Sequence, residues 1–324
     1  MSQQQKVLFL PNPKFREPSQ SEVVAAVAPH HDLQIIDYDA PLQPQFEGVS
    51  VVIDLGGAMG TRAMADVAVS VKLWQILGTG FDHFDLPYWK KKKIPVANCP
   101  GELTGVPLAE CAMLLMLLLA RQWHQSQLNL GRREMCLPSG SELAGRNLFL
   151  IGFGASAREL ALRARAFGMK ISAMDIRHIS IAERQEFGLE SVGKPADLDR
   201  FLSQSDYVSL HLHLNEGTRH ILNGPRLRLM KPTAHLINVA RGALVDEKEL
   251  YDALVEKRIA GAGLDVFNDE PVDPNNPLLK VSSVVATPHI AGVTDGTSRR
   301  RAACAAQNID RISRGMEALY RIDQ

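Results

Sequence analysis

Little in this sequence is extreme, and each shortage removes a class of function. The 324 residues contain four cysteines, Cys99, Cys111, Cys136 and Cys304. They are scattered, with no C-x-x-C pair and no histidine at metal-ligand spacing. Neither a disulfide framework nor a structural zinc site is expected, and a reducing compartment fits. Charge of one sign is also lacking, since 36 lysines and arginines balance 36 aspartates and glutamates. A chain without net charge has no global field to gather nucleic acid or an anionic membrane, and partners of those kinds are not expected. The only dense basic run, Lys90-Lys91-Lys92-Lys93, reads as the solvated face of a helix beside Trp89. Long hydrophobic runs are missing too. The most apolar segment, Leu108 to Ala120, is too short to span a bilayer and carries Glu110, so a buried helix is expected. Met1 to Leu10 has one lysine and a short apolar run ending in Pro11-Asn12-Pro13, a strand and turn rather than a signal peptide. The expected location is the cytoplasm. No repeat of fixed period and no low-complexity tract is present.

What remains is an ordinary globular composition, 45% hydrophobic and 22% charged, at a length that suggests two domains. Short apolar runs alternate with helical stretches. Val7–Leu10, Leu33–Ile36, Val51–Ile53 and Leu73–Leu77 form a first series. A second runs through Leu148–Ile151, Ile171–Met174, Tyr207–Leu210, His235–Ile237 and Val284–Ala286. Runs without polar alternation suit strands buried on both faces, hence parallel sheets covered by helices. Two β/α series imply two doubly wound α/β domains. A long apolar helix, from about Pro107 to His124, separates them and offers a candidate dimer surface.

The segment Ile151-Gly152-Phe153-Gly154-Ala155-Ser156-Ala157 follows an apolar strand and opens a helix expected over Arg158–Phe167. In this G-x-G-x-x-A pattern Gly152 permits a tight turn, Gly154 lets backbone approach a pyrophosphate, and Ala157 allows close helix–strand packing. The helix start would favour an anion. Asp175 closes the next strand, 23 residues beyond Gly152. An acidic side chain there accepts the ribose hydroxyls of NAD and repels the 2′-phosphate of NADP. Its plainer reading is a strand-end turn residue, and Arg177 pulls against the NAD preference.

Three later segments each read as a strand ending in a polar residue, and they put forward Arg241, Glu270 and His289. Strand ends on the carboxyl side of a doubly wound sheet line the ligand crevice, so the three are expected to converge. Taken singly, each has a bland reading, as a surface ion pair, a turn residue or a loop histidine. Together they match one chemistry. Oxidising a secondary alcohol needs a base for the hydroxyl proton while hydride leaves carbon, and histidine titrates in the right range. A carboxylate on the other imidazole nitrogen fixes the tautomer and stabilises the imidazolium. A substrate carboxylate and 2-oxygen call for the planar, permanently charged fork of arginine.

The order of these residues resembles the D-isomer-specific 2-hydroxyacid dehydrogenase family. It does so in Gly78-Thr79-Gly80-Phe81-Asp82, Val96–Gly101, Leu108-Ala109-Glu110, Ser205–His211, Met230-Lys231-Pro232 through Gly242, and Thr287-Pro288-His289-Ile290, over about residues 73–308. The resemblance implies that Arg241 orients substrate, Glu270 is the carboxylate of the dyad and His289 the acid/base. It implies that Gly152, Gly154, Ala155 and Ser156 hold the pyrophosphate of NAD, with Asp175 on the ribose and Asp265 near the nicotinamide amide. Val239, Ala240 and Thr79 are implied to line the cofactor, and backbone around Gly56 and Gly80 to hold the substrate carboxylate. It also implies a flavodoxin-like substrate domain, residues 1–101 and 291–324, with an NAD-binding Rossmann domain, residues 102–290, inserted into it. A homodimer and a small 2-keto or 2-hydroxy acid complete the expectation. His213 stands where relatives usually carry proline, and Asp54–Met59 lacks the basic residue expected of phosphoglycerate enzymes. Thr79 replaces the lysine of phosphite dehydrogenases, and Glu270 separates the chain from formate dehydrogenases. The favoured reading is an NAD-dependent reductase of glyoxylate, hydroxypyruvate or a similar 2-keto acid. An NAD(H)-sensing corepressor and a phosphite dehydrogenase are the alternatives.

Overall fold

The computed structural model describes residues 3–13 and 17–324, so Met1 and Ser2, read with the first strand, lie outside the described residues. The chain divides into two compact units, Met1–Leu103 with Thr294–Gln324 and, between these segments, Thr104–Val293.

The first unit is built on a parallel sheet of Lys6–Leu10 (β1), Asp32–Ile35 (β2), Val51–Asp54 (β3), Leu73–Ile76 (β4) and Val96–Ala97 (β5), in the order β2-β1-β3-β4-β5. That order is the flavodoxin-like one, with its reversal between β1 and β3. Every residue of β3 and β4 is buried, as apolar runs without alternation require. β2 departs from the sequence reading: it lies at the sheet edge and is largely exposed. β5 is only two residues long, too short for its apolar character to register as a run. The helices Ser19–Val27 and Asp295–Ser313 pack together beside this sheet. The lysine run begins in the helix Leu86–Lys91, where Trp89 is buried and Lys92 pairs with Asp66 at 2.5 Å.

The second unit carries a seven-stranded parallel sheet. Its strands are Asn147–Ile151 (β6), Lys170–Met174 (β7), Leu189–Gly193 (β8), Tyr207–Leu210 (β9), His235–Asn238 (β10), Gly261–Leu264 (β11) and Val284–Ala286 (β12). They lie in the order β12-β11-β10-β9-β6-β7-β8, a Rossmann arrangement that reverses between β6 and β9. β8, with Glu190 and Ser191 inside it, gives no apolar signal and goes unread from sequence. The helix that follows the glycine turn spans Ala155–Ala166, starting three residues earlier than its apolar spacing suggests. It packs on the helix Gly105–Ala120, whose Leu115 and Met116 are fully buried. Truncating such a leucine to alanine costs about 2–5 kcal/mol.

The apolar helix does not run on to His124. It stops at Ala120, and a second helix, Trp123–Gly131, leaves at 52° after Gln122 adopts a left-handed φ of +48°. No glycine or proline marks this break in the sequence. No single helix among the described residues is long and apolar enough to cross a membrane.

Candidate active site

Arg241, Glu270 and His289 all sit on loops that leave the carboxyl ends of adjacent strands β10, β11 and β12. The Arg241 turn is set by Asn238, whose buried side chain accepts the Ala240 N–H at 3.1 Å and donates to the Arg241 carbonyl at 2.8 Å. Gly242 then passes so close to the next loop that a Cβ would lie 2.0 Å from the Phe267 carbonyl carbon. No side chain fits there. The Arg-Gly pair therefore brings the arginine loop against the loop that leads to Glu270.

Glu270 and His289 meet directly, with Oε2 2.6 Å from Nδ1. The other carboxylate oxygen accepts the Phe267 N–H at 3.0 Å, which fixes the rotamer. With Nδ1 committed to the carboxylate, Nε2 is the ring nitrogen left for chemistry. Burial works to raise the Glu270 carboxyl, but the His289 hydrogen bond, the Phe267 N–H and the Arg241 charge outweigh it and hold it below its usual range. The carboxylate is therefore charged whenever the histidine is in use. His289 itself has φ +54°, a left-handed conformation uncommon outside glycine, in which histidine is found more often than most residues, as asparagine and aspartate are.

Asp265, directly after β11, has no exposed surface. Its oxygens accept the Thr287 hydroxyl at 2.6 Å, the Ile290 N–H at 2.8 Å and the Ala291 N–H at 2.9 Å. Its backbone carbonyl takes the His289 N–H at 2.8 Å. Burial pushes its carboxyl up, against the pull of these donors. The residue singled out for a nicotinamide contact thus grips the loop that carries the histidine, on both sides of it.

The glycine turn lies at the switch point of the sheet. Gly152 has φ +88°, and a Cβ would stand 2.6 Å from the His211 carbonyl oxygen, so only glycine lets β6 and β9 end side by side. At Gly154 a Cβ would meet nothing within 4 Å, and no side chain caps the helix beginning at Ala155. Uncovered N–H groups in an open cradle fit the pyrophosphate of a dinucleotide. Ala157 is fully buried under the turn. The Ser156 hydroxyl lies 2.9 Å from His211 Nδ1, and Ser209 Oγ lies 2.9 Å from its Nε2. Burial pushes this imidazole down to about 3, so it is a neutral brace between the turn and β9. Asp175 accepts the Phe153 N–H at 2.7 Å and the Arg177 N–H at 2.9 Å, which aims its carboxylate at the same turn. Val239 is buried and Ala240 partly exposed on the Arg241 loop.

Gly56, Thr79 and Gly80 belong to the first unit, on the loops after β3 and β4. His83 Nε2 donates to the Gly56 carbonyl at 2.9 Å, and Asn98 donates to the Thr79 carbonyl at 2.8 Å. Beneath them Asp54 is fully buried and accepts the N–H groups of Met59 (3.1 Å) and Gly60 (3.0 Å) and the Trp74 indole N–H (3.0 Å). Sequence reading passed over Asp54, Asn238 and the bracing role of His211. A polar residue closing an apolar strand was the available signal in each case.

The chain is similar to several known proteins. The sequence model of the D-isomer specific 2-hydroxyacid dehydrogenase, NAD binding domain, matches residues 113–291. A glyoxylate reductase of Thermofilum pendens is 38% identical over 256 residues, 77% of this chain and 74% of that protein. A hydroxypyruvate reductase of Thermotoga maritima is 40% identical over 247 residues, 74% of this chain and 78% of that one. Among solved structures, a D-lactate dehydrogenase of Aquifex aeolicus, complexed with NAD and lactic acid, superposes with a TM-score of 0.80. It is 27% identical and covers 95% of this chain and 96% of its own.

Proposed function

The chain belongs to the D-isomer specific 2-hydroxyacid dehydrogenase family, and on that premise we propose that it reduces a small 2-keto acid, glyoxylate or hydroxypyruvate, with NADH. As a member it is an oxidoreductase with NAD as cofactor. The single observation that carries the reading is the 2.6 Å His289–Glu270 hydrogen bond on strand ends that also present Arg241.

The bound nicotinamide supplies or accepts the hydride at C2. His289, as the imidazolium, delivers a proton from Nε2 to the 2-oxygen during reduction and recovers it in oxidation. Glu270 holds Nδ1–H and stabilises the cation, so the proton is lost only from the substrate side. Arg241 offers its fork to the carboxylate and 2-oxygen of the acid, a geometry lysine does not reproduce. Asp265 acts through the loop it grips, keeping His289 in place. Backbone around Gly56 and Gly80 completes the hold on the carboxylate, which makes the first unit the substrate domain. Thr79, Val239, Ala240, Ala155 and Ser156 line the cofactor beside Gly152 and Gly154, and Asp175 takes the ribose.

A homodimer belongs to this proposal. The helix Gly105–Ala120 exposes Val106 and Leu114, and beyond it Trp123, Leu128, Leu130, Met135 and Leu137 are further exposed large apolar side chains. Such a grouping suits association.

The test is oxidation of NADH against a panel from glyoxylate through hydroxypyruvate to phenylpyruvate, with NADPH in parallel. Turnover strongest on the two smallest acids is expected. Silence across the panel with NADH still binding would sink the enzymatic reading and favour a nucleotide sensor.

A further inference from the structure

We propose that Glu183 sets the preference of this chain for NADH over NADPH, by holding the two guanidinium groups, Arg177 and Arg158, that would otherwise receive a 2′-phosphate. This rests on the cofactor reading above and adds a residue to it.

Arg177 is the group that argues against an NAD preference in the sequence. The structure accounts for its silence. Its backbone N–H bonds Asp175, and its Nη2 donates to the Phe153 carbonyl at 2.7 Å, so the guanidinium lies against the glycine turn beside the ribose carboxylate. That is the place for an arginine that reads a 2′-phosphate. Its Nη1, however, lies 2.9 Å from Glu183 Oε1 and 3.0 Å from Oε2. Arg158, from the helix after the turn, gives Nη2 to the same Oε1 at 2.8 Å. Its Nε is buried without a hydrogen-bond partner. Both guanidinium groups also rest about the same ring, 5.9 and 6.0 Å from the centroid of Phe153.

Two arginines and two carboxylates, Asp175 and Glu183, therefore meet at one corner of the turn and balance. A 2′-phosphate arriving there finds no unspent positive charge. Removing the Glu183 charge leaves two guanidinium groups against one carboxylate, and arginine forks bind phosphate in paired, charge-assisted hydrogen bonds. Glu183 is well placed to stay charged and still. Arg177 first, then the Ser180 N–H, hold its carboxyl down to about 2. A capping box fixes it, with the Ser180 N–H to Oε2 at 3.0 Å and the Glu183 N–H to Ser180 Oγ at 3.1 Å.

A purely structural role for Glu183 would act through that capping box, so the test separates charge from cap. Equilibrium dissociation constants are measured by fluorescence for NADH, NADPH and the probes AMP and 2′,5′-ADP. Glu183→Gln is expected to tighten NADPH and 2′,5′-ADP at least tenfold while NADH and AMP move less than twofold. Ser180→Ala, which breaks the cap and keeps the charge, leaves all four unchanged. Adding Arg177→Met to Glu183→Gln cancels most of the gain, whereas Arg177→Met alone leaves NADPH as weak as before. The proposal is overturned if Glu183→Gln binds NADH normally with no gain for 2′,5′-ADP. It is overturned equally if Ser180→Ala gives the same gain, or if Arg177→Met alone weakens NADPH. Failure of the unmodified chain to bind NADH at all would instead overturn the cofactor reading beneath it.

Discussion

Each sheet buries an aspartate at the end of a strand flanked on both sides, and the two do different work. Asp54 closes β3 and reaches only five and six residues ahead, to the Met59 and Gly60 N–H groups, with the Trp74 indole behind it. Asp265 follows β11 and reaches 22 to 26 residues ahead, across to the loop after β12 that carries His289. One carboxylate shapes a loop of its own strand. The other ties two strand ends together and so fixes the loop that carries His289, the proposed acid/base. Local bracing suffices to shape a short loop such as the one Asp54 holds. Where one side chain must be held to a fraction of an ångström, the brace comes from a neighbouring strand.

The comparison breaks most sharply at the histidine itself. His289→Ala is expected to lower kcat by about 10³–10⁴-fold, the upper half of the usual weight of a general acid/base, with the Kd for NADH within about twofold, since a base is not a cofactor ligand. Lost NADH binding would mean that His289 is structural. Next in size is a pH effect at Asp54 in the first unit. Burial pushes the Asp54 carboxyl up to about 6 from 3.8, against the Trp74, Met59 and Gly60 donors. Between those values the folded chain keeps a proton that the unfolded chain releases. This contribution is therefore whole below pH 3.8 and disappears as pH rises through 6, a loss of up to about 3 kcal/mol. Melting curves of the unmodified protein and Asp54→Asn at pH 4 and pH 7 read it as a relative advantage of aspartate at the lower pH. Parallel Tm profiles for the two proteins would dismiss it.

The same substitution in both units then sharpens the contrast. Asp265→Asn turns an amide N–H₂ toward the Ile290 or Ala291 N–H and shifts the His289 loop, so kcat should fall about 100-fold. Steady-state kinetics in which only KM moved would remove the coupling argued for Asp265. Asp54→Asn should do the reverse, raising KM for the keto acid about tenfold, from the loss of one buried acceptor, with kcat nearly kept. A fall in kcat equal to that of Asp265→Asn would erase the distinction between the two braces.

Much of this was legible in the sequence, and the pattern of what was not is physical. The strands of both sheets announced themselves because parallel strands are apolar on both faces. The two-residue β5 and the polar β8 carry no such signature. Arg241, Glu270 and His289 stood out because each closes an apolar run with a residue suited to one step of a hydride transfer. The break at Gln122 was invisible, since its left-handed turn uses neither glycine nor proline. The capping box Ser180-x-x-Glu183 is readable in principle. Its electrostatic partners are not, because Arg158 and Arg177 meet it only through the fold of the glycine turn.

The left-handed backbone of His289 has a consequence for how this protein would respond to selection. A non-glycine residue held at φ +54° costs about 1–2 kcal/mol, and glycine at that position escapes the penalty. A library screened for survival of heat alone would therefore enrich chains that have lost this histidine. A library screened for turnover would keep it at the expense of robustness. At this one position heat tolerance and chemistry are rivals, and a programme of thermal improvement has to hold it fixed.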